Sequence, residues 1–152
     1  MHQIKRSHEI SGLDTMFEKC IYFNSNALTR QINKIWDEAF KPFGLSPAHA
    51  YVLRVVLDQP GIAMKQLAET LELAPSTVTR FVDSLCNKKL LSRTVDTNDK
   101  RGTTLKPTAS AKKIHKQLEQ TGQQLYRQLN STLGKQTFAE LVKDMRQVRQ
   151  RL

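Results

Sequence analysis

Two short amphipathic segments joined by a link of three residues constrain this chain more than any other feature. In MKQLAETL, residues 64 to 71, Leu67, Ala68 and Leu71 fall on one side of a helix. Glu72 to Ala74 lead to Pro75, which suits the first turn of a second helix because the N–H that proline lacks has no partner there. This helix is expected to run from 75 to about 89. Ala74 is a poor cap, so Ser76 or the tertiary surroundings must satisfy the first amides. Val78, Val82 and Leu85 line one face, leaving Ser76, Thr77, Arg80, Asp83, Ser84 and Asn87 largely on the other.

What surrounds the pair narrows the architecture further. Before it, PAHAYVLRVVLD reads as a helix buried on most sides, closed by Gln59, Pro60 and Gly61. After it, LLSRTV and TTLKP flank the polar turn DTNDKRG and read as a two-stranded hairpin with a charged tip. From Leu13 a stripe of apolar residues at spacings of three and four continues to Phe40, ended by Pro42 and Gly44. A helix of that length spans about 40 Å, more than a small domain is wide, so its far part needs a partner such as a second copy of the chain. A second stripe runs from Thr108 through Ile114, Leu118, Leu125 and Leu133, and after Gly134 a last helix carries Phe138, Leu141, Val142, Met145 and Val148. The expected fold is mainly α with a small β-hairpin wing, in one subunit over residues 1–152. Residues 45–107 form a winged helix-turn-helix, and residues 13–41 and 108–152 a helical dimerisation platform built from both termini.

Charge and motif content restrict the function. Lysine and arginine number 24 against 14 acidic residues, a formal charge of +10 that attracts polyanions such as nucleic acid or an anionic membrane. No stretch approaches the roughly 18 apolar residues of a membrane span, and the polar opening MHQIKRSHEISG lacks the apolar core of a signal peptide, so a cytoplasmic location without membrane contact is expected. Cys20 and Cys86 stand apart without a CxxC pair or histidines at ligand spacing, which argues against a zinc site or a disulfide framework. The six glycines form neither GxxxxGK nor GxGxxG, and the four histidines share no motif with an acid or a nucleophile. The expectation is a protein that is not an enzyme and uses no cofactor and no metal.

The polar face of the 75–89 helix has the chemistry of a recognition helix. A major groove admits one helix, and hydroxyl, amide and guanidinium groups hydrogen-bond base edges and phosphates there. A solvated surface is the plain alternative for such a face in isolation; the helix, turn, helix and basic hairpin in sequence, inside a strongly basic chain, favour DNA. In the hairpin tip Asp96 and Asp99 can fix the turn while Lys100 and Arg101 project as cations suited to the minor groove.

The stretch from Gly44 to about Thr108, with GLSPAHAYVLRVV, KQLAETLELAPSTVTRFVDSLCNKKLLSR and DTNDKRGTTLKPTASA, resembles the MarR (multiple antibiotic resistance regulator) family. The resemblance implies a homodimeric transcriptional regulator, commonly a repressor, that binds a pseudo-palindromic site on double-stranded DNA. By position it implies helix contacts from Ser76, Thr77, Thr79 and Arg80, and a wing contact from Arg101 with Asp99 orienting it; Lys100, read from the tip itself, joins Arg101 as an expected wing contact. The chain departs from the family at Leu90, where glycine is frequent, and at LKPTASA.

The resemblance also raises release of DNA by a small aromatic ligand or by cysteine oxidation. Cys20, in CIYFNSNALTRQI, is similar in place to the reactive cysteine of the hydroperoxide-sensing branch. It equally sits on the apolar stripe, where a cysteine is an inert filler, and Asn24 and Lys34 stand where supporting tyrosines are expected. Trp36, Phe40, His49 and Tyr51 are candidates to line a ligand cavity, and core packing accounts for them as well. Against sequence-specific regulation stands a non-specific architectural DNA-binding protein, for which the basic charge alone suffices.

Overall fold

The computed structural model describes residues 17–95 and 102–152. The chain divides into two compact units, one ending at Ile35 and the other running from Trp36 to Leu152. Helix α1 spans Ile21–Phe40, after helical residues at Phe17 and Glu18 and a break at Lys19 and Cys20. The expected helix from about Leu13 to residue 41 is therefore shorter, roughly 30 Å of rise instead of 40 Å. Residues 13–16 lie outside the described part, and the ladder starts afresh at Cys20. The Cys20 carbonyl accepts the first α1 bond, from the Asn24 N–H, and the Asn24 side-chain amide folds back onto the carbonyls of Phe17 and Cys20 at 2.7 and 2.9 Å. At its other end α1 passes into a 3₁₀ turn, Lys41–Phe43, and Gly44 reverses the chain at φ 63°, a conformation that disfavours a Cβ.

Ser46 caps α2, Pro47–Asp58, by accepting the His49 N–H. Ala50, Val52, Leu53, Val56 and Leu57 are buried, which accounts for the dense apolar content of this helix. After it the chain hooks onto the wing: the Gly61 N–H donates to the Leu105 carbonyl and the Leu105 N–H to that of Ile62. Helix α3, Met64–Leu71, ends at Glu72 in the left-handed region, and α4 covers Pro75–Asn87. Lys88 and Lys89, expected to finish α4, instead form a turn with Lys89 at φ 58°.

Strands β1, Leu91–Val95, and β2, Thr103–Pro107, pair antiparallel with Leu91 opposite Pro107 and Val95 opposite Thr103. Thr108 closes the hairpin base. Its N–H donates to the Leu90 carbonyl and its hydroxyl to that of Lys89 at 2.8 Å, while the same oxygen caps α5 by accepting the Ala111 N–H. Helix α5 runs Ala109–Leu133, and after Gly134, at φ 81°, α6 runs Lys135–Arg151.

One core is shared by the short helices, β2 and α5. Val52, Leu53 and Val56 of α2, Leu67 of α3, Val78, Val82 and Leu85 of α4, Leu105 of β2 and Leu118 of α5 are fully buried. Each contributes on the order of 1.5–3 kcal/mol relative to exposure. Helix α6 differs: none of its residues is buried, Met145 is 50 % exposed, and Val142 and Val148 are exposed with it. Phe138 packs edge-on against Tyr126 of α5 at 5.5 Å.

Candidate nucleic-acid interface

Helix α4 carries its apolar residues inward as the spacing requires, which leaves its opposite face available. Ser76 and Arg80 are exposed and Thr77 is half-buried. Among the described residues Arg80 forms no ion pair. Thr79 is exposed as well, but its hydroxyl donates back to the Pro75 carbonyl at 2.9 Å, so towards an outside partner it is left with acceptor capacity. No side chain caps the helix: Ser76 does not take the role the poor cap at Ala74 left open, and the Thr77 and Val78 amides close onto the Ala74 carbonyl. An uncapped helix start leaves N–H groups and the positive end of the helix dipole facing outward, the electrostatics that suit a phosphate.

Asp83 lies on the polar face too, yet it faces the wing. Its Oδ1 is 2.6 Å from Nη1 of Arg93 on β1, an ion pair that ties α4 to the first wing strand. Periodicity assigns Asp83 a face and says nothing of this partner. A groove of about 410 Å³ runs between the start of α3 and the wing base, lined by Ala63, Met64, Lys65, Thr79, Arg93 and Thr103. It brings Lys65 and Arg93, neither singled out from the sequence as a contact, beside Thr79. The expected wing contacts Lys100 and Arg101, and Asp99 with them, lie outside the described residues.

The candidate sensing residues do not converge. Trp36, Phe40 and Tyr51 gather in one cluster, with Trp36 Nε1 donating to the Tyr51 hydroxyl at 3.2 Å and the Phe40 and Tyr51 rings 6.5 Å apart. His49 turns the other way, its ring 4.9 Å from that of Phe81 on α4 and its Nδ1 2.7 Å from Ser46 Oγ. Burial and the nearby Lys88 ammonium hold its pKa below the ordinary imidazole range. A cavity of about 730 Å³ lies elsewhere, between Ala39, Pro42, Phe43 and Leu90 on one side and Ile114, Thr121 and Leu125 of α5 on the other. Cys20 is not within regular helix as the stripe suggested; it stands just ahead of α1, where its Sγ accepts the Phe23 N–H at 3.4 Å. Cys86 on α4 is half-buried, and burial pushes its thiol pKa up.

One polar contact inside the second unit joins segments far apart in the chain. Arg54 of α2 grips Glu119 of α5 with two bonds, Nε to Oε1 at 2.6 Å and Nη2 to Oε2 at 2.9 Å. That grip holds the Glu119 carboxyl below the usual carboxylate range and raises the Arg54 guanidinium. The Arg54 Cζ sits 5.5 Å from the centre of the Tyr51 ring.

Three short helices followed by a two-stranded hairpin, with the third helix offering a polar outer face beside that hairpin, define a winged helix-turn-helix fold. Solved structures share it. The S. aureus MepR–DNA complex superposes with a TM-score of 0.79 at 18 % identity, covering 88 % of this chain and 98 % of that one. A mutant of E. coli MarR complexed with operator DNA reaches 0.76 at 25 % identity, covering 88 % and 97 %. Residues 43–102 match the family model described as MarR family. The HTH-type transcriptional repressor MdtR of Bacillus subtilis (strain 168) is 32 % identical over 81 residues, 53 % of this chain and 52 % of the relative. The HTH-type transcriptional regulator Hpr of Geobacillus thermodenitrificans is 28 % identical over 106 residues, 70 % and 53 % respectively. The chain thus spans about half the length of the curated relatives it matches. Over residues 43–102 it is similar to the MarR family, and it shares the fold of the solved MepR and MarR structures.

Proposed function

We propose that this protein is a sequence-specific transcriptional regulator, acting as a repressor, that binds a pseudo-palindromic operator on double-stranded DNA as a homodimer. The observation that carries the reading is the outer face of α4, with an uncapped start, exposed Ser76, Thr79 and Arg80, and a guanidinium free of ion pairs among the described residues. Arg80 addresses base edges, and Ser76, Thr77 and Thr79 serve bases and phosphates. Lys100 and Arg101, oriented by Asp99, extend the contact into the minor groove. A bidentate arginine to guanine supplies roughly 1–3 kcal/mol of discrimination.

The apolar face of α6, exposed among the described residues, supports dimerisation through the platform helices, residues 13–41 and 108–152, with 45–107 as the reading unit. No described helix is long and apolar enough to cross a membrane. The cavity against α5 has the size of small-molecule sites and gives an inducing ligand a place to bind.

The test is a fluorescence-anisotropy titration against a selected duplex and a scrambled duplex of equal length across a salt series. Half-sites about one helical turn apart, bound at least roughly a thousandfold more tightly than the scramble, support a sequence-reading dimer. Arg80→Ala and Arg101→Ala should each weaken that binding with the dimer intact. Equal affinities that fall together with salt would instead mean backbone charge alone is read, the behaviour of an architectural protein.

A further inference from the structure

Hydrophobic burial explains why α5 packs on the reading unit and leaves open the angle at which it does so. Thr108 pins the first turn of α5 to Lys89 and Leu90, but beyond that pivot Ala111, Leu118 and Leu125 are its buried residues, and apolar contact is non-directional, so the helix can swing about its start at small cost. The Arg54–Glu119 contact is of another kind. A guanidinium fork that meets both carboxylate oxygens fixes distance, plane and register together. The fork is itself held in place, since Arg54 lies against the Tyr51 ring and the Tyr51 hydroxyl accepts from Trp36.

A third, independent feature is Gly122. A glycine in the middle of a 25-residue helix works against helix formation. Here a Cβ would stand 3.1 Å from Nη1, 3.2 Å from Nη2 and 3.3 Å from Cζ of Arg54. The glycine leaves room for the guanidinium beside the α5 backbone, one turn beyond the Glu119 that it grips.

We infer that Arg54, seated over Gly122 and locked to Glu119, is the positioning residue that sets the angle between reading unit and α5 and thereby the half-site spacing the dimer accepts. This rests on the dimeric reading proposed above. The leverage is large. A rotation of about 10° displaces a group ~20 Å away, the length of α4, by ~3.5 Å, which is the rise of one base pair.

The experiment uses the full chain and duplexes carrying the selected operator with its centre lengthened or shortened by one and two base pairs. Wild type, Glu119→Gln and Gly122→Ala are compared by anisotropy, with circular dichroism and size-exclusion chromatography on each. Wild type should prefer its own spacing by about tenfold or more over a one-base-pair change. Both variants should lower that preference to about threefold or less while binding an isolated half-site within about twofold of wild type. Gly122→Ala keeps both partners of the pair, so the test holds even where Glu119→Gln does not fold. It also separates causes, since helix propensity alone predicts a more stable protein with unaltered spacing preference. An unchanged preference in Gly122→Ala, or in a folded Glu119→Gln, overturns the inference. A wild type that selects no paired half-sites removes the dimeric reading, and the positioning role falls with it.

Discussion

Replacing Asp83 by asparagine keeps the shape of the side chain and removes the charge that ties α4 to β1. The two atoms are 2.6 Å apart, and the side chains of Arg93 and Asp83 remain 38 % and 49 % exposed. Two unit charges at that separation in water attract by about 1.6 kcal/mol, and ordering two solvated side chains offsets part of it, so about 1 kcal/mol or less remains for stability. For a unit of this size that is a fall in Tm of roughly 3–5 °C at most. Operator binding should suffer more than folding, because the pair orients the wing strand against the reading helix. Asp83→Asn is expected to lower affinity about threefold to tenfold, with the salt dependence unchanged since no phosphate contact is lost. The assay is a double-mutant cycle of Asp83→Asn and Arg93→Gln, followed by thermal melts and by anisotropy. Additivity of the two substitutions in binding, within about 0.3 kcal/mol, would refute the reasoning.

Three further outcomes follow from burial, exposure and protonation. Leu118→Ala, which opens a void where α5 meets the core, should cost about 2–5 kcal/mol in a urea melt. Met145→Glu places a charge on the exposed apolar face of α6 and should shift sedimentation at micromolar concentration from dimer to monomer; a dimer that persists would place the platform elsewhere. His49 has a lowered pKa in the folded chain, so on acidification the unfolded chain takes up the proton first. Stability should therefore decline from about pH 6.5 down to the folded-state pKa, below which this loss is complete, and denaturant melts of His49→Gln should lack that part of the decline.

The elements that sequence periodicity described well are those whose burial is governed by a repeated spacing. Val78, Val82 and Leu85 recur at helical intervals and are all fully buried, and Thr108 and Gly134 mark the start and end of α5 as capping chemistry suggests. The break before α1 was not legible. Apolar residues continue in phase through Phe17 and Ile21, and what interrupts the helix is the Asn24 amide folding back on earlier carbonyls, a contact with no periodic signature. His49 stands two positions before Tyr51, about 200° around α2, so it faces Phe81 while Tyr51 faces Trp36, and nearness in sequence misleads about its surroundings. Arg54 and Glu119 are separated by 65 positions, and nothing local to either marks the other as its partner. The polar face of α4 was readable as a face, whereas the commitment of Thr79 to Pro75 and of Asp83 to Arg93 depends on side-chain geometry.

Thr108 gathers the end of the α4 turn and the first turn of α5 at its side chain, and its backbone N–H adds Leu90, the residue ahead of β1. The hairpin between Lys89 and Thr108 is thereby cinched at its base, and Arg93 and Leu105 fasten its two strands to the helical core. Closing a longer loop is inexpensive, about 0.6 kcal/mol for each doubling of its length. The ladder from Leu91–Pro107 to Val95–Thr103 is complete without what joins the strands, so residues added beyond Val95 should cost the fold little. Reach and charge at the wing tip can vary from one DNA target to another while the core and the helix platform stay as they are.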